Sequence, residues 1–165
     1  MKQVSGTGVL IRRAHPDDAA EIARLANALN HDQGKPDSPF SEELVLREAF
    51  GRDPSFSVIL AESAGCAVGY AMFHPFFNSD LAARGLWLVD LFVEPAARGH
   101  GCGRALLAGV AAEAVDRGMA CVWWGVYSSN SAARRFYAGL GARDEDARIL
   151  ELDGAALHRL AAEAR

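Results

Sequence analysis

The stretch from Leu86 to Leu107, LWLVDLFVEPAARGHGCGRALL, constrains this chain most. Leu86 to Val93 is an apolar run of strand length, rich in Leu, Val, Trp and Phe, and reads as a buried strand. Glu94-Pro95 ends it, because proline has no N–H to give to a ladder. A loop follows, Arg98-Gly99-His100-Gly101-Cys102-Gly103, and then a helical pattern through Ala105, Leu106, Val110 and Ala114. A buried strand, a glycine-rich basic loop and a helix start make an anion-binding device. Glycine lets backbone N–H groups approach phosphate oxygens, and the helix N-terminus adds positive partial charge. Arg98 and Arg104 flank the loop and can add charge-assisted bonds. No Gly-Lys-Ser/Thr follows, so this is not a P-loop. Arg104 stands where a dinucleotide fingerprint has its last glycine.

The flanking sequence supplies the rest of an α/β pattern. Gly8 to Ala14 reads as a first strand, and Pro16-Asp17-Asp18 opens a helix with Ile22, Leu25, Ala26 and Leu29 on one face. Asp18 with Glu21 has the spacing of a capping box. His31 to Pro39 is a loop, and Ser41 caps a second helix that Gly51 stops after Phe50. Ser55–Glu62 and Ala67–Phe77 read as an antiparallel pair turned at Ala64-Gly65, and Asn78 to Gly85 as a loop. Beyond the helix ending near Arg117-Gly118, Cys121–Tyr127 reads as a strand, Asn130 starts a helix to about Gly139, Ala147–Leu152 reads as a last strand, and Gly154–Ala164 as a helix.

At 165 residues one domain is expected, with an ordinary balance of 50% hydrophobic and 23% charged residues. No apolar run approaches the roughly 20 residues of a membrane span, and no signal-peptide core is present, so the cytoplasm is the default expectation. A net charge of -4 argues against nucleic acid as the main partner. Cys66, Cys102 and Cys121 have no metal or disulfide spacing and read as structural thiols, with Cys102 partly exposed; the five histidines form no ligand set, so no metal is expected.

Arg98-x-x-Gly101-x-Gly103, directly after a strand and a proline, resembles the acetyl-CoA pyrophosphate loop of the GCN5-related N-acetyltransferases. A second segment, Asn130-x-x-Ala133-x-x-Phe136-Tyr137-x-x-x-Gly141, looks like that family's downstream signature. Within the family, the diamine and polyamine (spermidine/spermine-type) and thialysine acetyltransferases are most similar. The stretches that carry this are Met72–Phe77, Asp90-Leu91-Phe92-Val93 and Ala147–Asp153. The resemblance implies one N-acetyltransferase domain over residues 1–165. The fold would be α/β (α+β), with a mixed central sheet in β-α-α-β-β-β-α-β-α-β order and a C-terminal helix. It implies acetyl-CoA as co-substrate, a small-molecule primary amine as acceptor, and a homodimer that pairs or exchanges Ala147–Leu152.

The resemblance also assigns roles. Tyr137 would protonate the leaving thiolate, or would simply pack its helix on the sheet. Asn130 would bond the cofactor while capping its helix, with Ala133 beside it. A bulged strand would offer backbone groups of Leu91, Phe92 and Val93 to the acetyl and pantetheine portions. Arg98, Gly99, His100, Gly101, Cys102, Gly103 and Arg104 would hold the pyrophosphate, His100 either bonding phosphate or facing solvent. Asp90 stands in an apolar run, where a carboxylate needs a partner or a wet cleft, so it is either a base or a structural acid. Glu94 reads as a rim residue and His74 as a cleft candidate. The branch carries Glu-Asp on this strand where this chain has Val89-Asp90. Its acidic acceptor-binding residue leaves Asp32 as the local candidate. Trp123 and Trp124 face opposite sides of a strand, one core and the other a candidate for the acceptor site, assigned to Trp124.

Overall fold

A computed structural model describes residues 2–4, 8–35 and 37–164. The chain divides into two compact units, residues 1–124 and 125–165. The first holds a six-stranded sheet: β1 (Lys2–Val4), β2 (Leu10–Arg13), β3 (Ser57–Ser63), β4 (Cys66–Asn78), β5 (Ala83–Val93) and β6 (Cys121–Trp124), in that spatial order. Neighbours are antiparallel except β5 and β6. A parallel neighbour needs a long crossover, and helix α3 (Cys102–Asp116) supplies it. The other α-helices among the described residues of this unit are α1 (Ala19–Asp32) and α2 (Glu42–Phe50).

Alternation along β4 divides the core. Tyr70 and Met72 point to one face, where they pack with Ile22, Leu25, Ala26 and Leu29 of α1 and Val45 of α2. Gly69 belongs to the other face. A Cβ there would lie 2.6 Å from the Phe92 carbonyl oxygen and 3.3 Å from Leu106 of α3, so the absence of a side chain lets α3 close on the sheet. The long β4–β5 hairpin turns on Asn78, which is buried. Its Oδ1 accepts from the N–H groups of Asp80 (2.9 Å) and Leu81 (3.1 Å), an Asx turn that ends β4 and starts β5 earlier than the expected loop to Gly85.

Glu113 of α3 is fully buried, with no sequence signal beyond its place in the helix. Its carboxylate accepts from Arg13 of β2, through Nε and through Nη2 at 2.7 Å, and from Arg117 at 3.1 Å. Burial pushes this carboxyl up, and the two arginines outweigh it, so it titrates below the ordinary range. Glu113→Ala is expected to cost about 2 kcal/mol, less than for a pair buried on both sides because the arginines stay partly hydrated. The wild-type contribution is present above the unfolded carboxylate pKa of about 4.3 and is lost as pH falls through the lower folded value. Thermal unfolding of both proteins across acid pH checks this: the gap between them should shrink toward low pH.

Several sequence expectations need correction. Strand β1 was not foreseen. Asp18 does not cap α1 through a side-chain bond with Glu21 as partner. Its carboxylate accepts from the His15 N–H (2.8 Å) and from Arg12 (2.7 and 2.8 Å), which also reaches Glu62 at 2.6 Å. Ser41 does cap α2, accepting from the Leu44 N–H at 3.1 Å. β6 stops at Trp124 rather than Tyr127. Cys102 is buried rather than partly exposed.

The second unit contains α4 (Ser131–Ala138) and α5 (Gly154–Ala162). The expected strand at Ala147–Leu152 is absent: residues 142–153 carry no regular structure. An apolar alternation makes a strand only when a neighbouring edge accepts its hydrogen bonds, and no ladder among the described residues reaches this segment. Ile149 and Leu150 are left 70% and 88% exposed.

Candidate active site

Strand β5 contains an irregularity that decides where Asp90 points. Opposite β4, Met72 faces Asp90 but the next residue, Phe73, faces Leu88, so Val89 is an extra residue in β5. Strict alternation would put Leu86, Leu88, Asp90 and Phe92 on one face. The extra residue divides them: Leu88 shares the α3 face with Phe73, while Asp90 and Phe92 share the opposite face with Met72 and Tyr70. Asp90 is thereby half-buried on the α1 side of the sheet, and its Oδ2 accepts from the Tyr70 hydroxyl at 2.9 Å. Burial pushes the Asp90 carboxyl up, and the Tyr70 bond and the positive charge of Lys35 offset this only in part. Lys35 lies in the loop after α1, its N–H bonded to the Asn30 carbonyl at 2.8 Å. Val89, where the resembling branch has glutamate, is exposed and offers no carboxylate.

The same strand loses its other neighbour at this point. β6 pairs with β5 only from Gly85 to Leu88, opposite Cys121 to Trp124. Among the described residues, no strand pairs with Val89–Val93 on that side. The backbone groups of Leu91 face this edge and are available to an extended polar ligand, whereas the Phe92 carbonyl is directed at β4 beside Gly69. The Val93 carbonyl is engaged, since Arg98 Nε donates to it at 2.8 Å.

The glycine loop then leads into α3. Gly99 and Gly101 both have φ of +82°, and Gly101 is the N-cap, so no side chain covers the first turn. The first N–H groups of α3, from Cys102, Gly103 and Arg104, stand where an anion would be held, with His100 and Arg104 exposed beside them. Arg98 also donates to Asp32 at 3.0 Å, and its guanidinium lies 5.7 Å from the Phe92 ring centre. The structure thus ties Asp32 to the glycine loop, which spacing in sequence could not foretell. Glu94 is paired with Arg24 of α1.

In the second unit, Asn130 caps α4, its side chain accepting from the Ala133 N–H at 3.0 Å. Tyr137 lies on that helix with its ring 5.2 Å from the Phe136 ring, and burial pushes its phenol up, so it carries its proton at neutral pH. Of the paired tryptophans, Trp123 stands opposite Trp87 in register and packs 5.7 Å from Phe76, on the face that Asp90 shares. Trp124 stands opposite Leu88, on the α3 face. His74 donates through Nδ1 to the Pro75 carbonyl at 3.0 Å.

The profile of the acetyltransferase (GNAT) family matches residues 21–142. The chain belongs to this family. The acetyltransferase is 32% identical over 166 residues to a thialysine N-epsilon-acetyltransferase of Sus scrofa, covering 93% of this chain and 97% of that protein. It is 34% identical over 150 residues to an L-ornithine N5-acetyltransferase of Arabidopsis thaliana, covering 85% of this chain and 63% of that one. Among solved structures, an integron cassette protein from the mobile metagenome of V. cholerae has the same fold, with a TM-score of 0.79, 23% identity, and 93% and 97% coverage. Among the described residues, no helix is long and apolar enough to cross a membrane.

Proposed function

We propose that this acetyltransferase, as one catalytic domain over residues 1–165, acetylates the side-chain amine of a small amino acid, with acetyl-CoA as donor. The observation that carries the reading is the charge pattern around Asp90. The bulge puts one carboxylate beside the open edge of β5, and Lys35 supplies a cation close enough to act on it. An acceptor with one amine and one carboxylate complements that pair. A diamine or polyamine would need a second carboxylate, and Asp32 is bound to Arg98. The names of the thialysine and L-ornithine relatives support the same choice.

The residues fit the donor in kind. The N–H groups at the start of α3, with Arg104 and His100, would hold the pyrophosphate, and Arg98 would brace the loop. The open backbone of Leu91, flanked by Phe92 and Val93, would align the pantetheine arm and acetyl carbonyl, and Asn130 would bond the cofactor. Acetyl-CoA, when bound, supplies a thioester whose C–S bond breaks as the C–N bond forms. Asp90 receives the ammonium and accepts the proton that the amine loses, and Tyr137 holds a proton for the departing sulfur.

Gly101→Val tests the loop. A β-branched residue at φ +82° is strained by about 1–3 kcal/mol and reshapes the first turn. Acetyl-CoA affinity, read by calorimetry, is expected to fall about tenfold or more while the sheet stays folded. Exposed Ile149, Leu150 and Leu152 support a homodimer that covers them. Leu150→Glu should then shift sedimentation toward a monomer, and an unchanged monomeric wild type would refute the pairing.

A further inference from the structure

Tyr70 is a fully buried residue of the core formed by β4, β5 and α1, where a phenylalanine ring would fill the same volume. A buried hydroxyl costs free energy unless it is bonded, so the oxygen here serves something. It donates to Oδ2 of Asp90 at 2.9 Å, and that carboxylate reaches the Tyr70 face only because of the extra residue in β5. One oxygen of Asp90, Oδ2, is therefore anchored by a donor that the core holds rigidly.

We propose that Tyr70 is a positioning residue for acetyl transfer, orienting the Asp90 carboxylate so that its other oxygen meets the acceptor amine. This rests on the reading of Asp90 as the acceptor-side carboxylate. Two ionisable groups act on Asp90, Tyr70 on β4 and Lys35 in the loop after α1, and His74 lies on the same sheet face opposite Trp87. Burial pushes the Tyr70 phenol far up, so it remains a donor throughout the working pH range. A bond donated to the charged form favours that form. Losing it raises the pH at which Asp90 becomes ionised.

The test is Tyr70→Phe, which keeps the ring and removes the bond. Folding and the melting-temperature rise on adding acetyl-CoA should be unchanged. The kcat/KM for the amine should fall about tenfold at neutral pH, as expected for a lost bond to a charged group. The ratio of mutant to wild-type kcat/KM should fall further in acid and recover in base. The amine's own titration is common to both proteins and cancels in that ratio. Placed in an Asp90→Asn background, Tyr70→Phe should add no further loss, because it acts through Asp90. A ratio that does not vary with pH, or a loss that simply multiplies with Asp90→Asn, would reduce Tyr70 to a packing residue and overturn the proposal. Asp90→Asn with full activity would instead overturn the reading of Asp90, and the positioning role with it.

Discussion

Asp90→Asn is expected to lower kcat/KM for the amine by about 10²- to 10⁴-fold while acetyl-CoA still raises the melting temperature. The substitution is nearly isosteric, and an amide oxygen can still accept from Tyr70, so the fold and the 2.9 Å contact have a replacement. What is lost is the charge that attracts an ammonium and the basicity that takes its proton. Burial pushes the Asp90 carboxyl above the ordinary range, so wild-type activity should decline as pH falls through that raised value. The asparagine variant should lack that part of the profile. The alternative, a carboxylate that only ties β4 to β5, predicts a lower melting temperature with kcat/KM scarcely changed.

Tyr137→Phe is expected to lower kcat by about 10²-fold, with KM for both substrates little changed. The phenol is half-buried and burial holds its proton, as an acid for a leaving thiolate requires. Phenylalanine preserves the ring contact with Phe136 at 5.2 Å and removes the proton source. A residue that merely packs α4 would show the reverse, a loss of stability with kcat intact.

What the sequence made legible was local. The strand, glycine loop and α3 appear where the apolar run, Pro95 and the Gly99–Gly103 spacing place them. Asn130 caps α4 as its residue type suggests, and Ser41 caps α2. The features that shape the site depend on partners remote in sequence. The extra residue at Val89 exists only in register with Met72 and Phe73, and nothing in LWLVDLFV distinguishes it from even alternation. Tyr70 reads as one more core aromatic until Asp90 is turned onto its face. The Arg98–Asp32 bond spans 66 positions and ties the candidate acid to the glycine loop. Glu113 looks like a surface residue of α3 until Arg13, 100 positions earlier, is seen to reach it. The segment Ala147–Leu152 shows the converse: its residues suit a strand, but pairing needs an edge that the described chain does not offer it.

The most direct test of acetyl transfer at Asp90 is thiol release from acetyl-CoA with single amines: L-ornithine and thialysine against putrescine and spermidine, for wild type and Asp90→Asn. The expected result is turnover with the amino acids, at least tenfold above the polyamines in kcat/KM, and its loss in the variant. Preference for the polyamines, or amino-acid turnover that Asp90→Asn leaves untouched, would contradict the account.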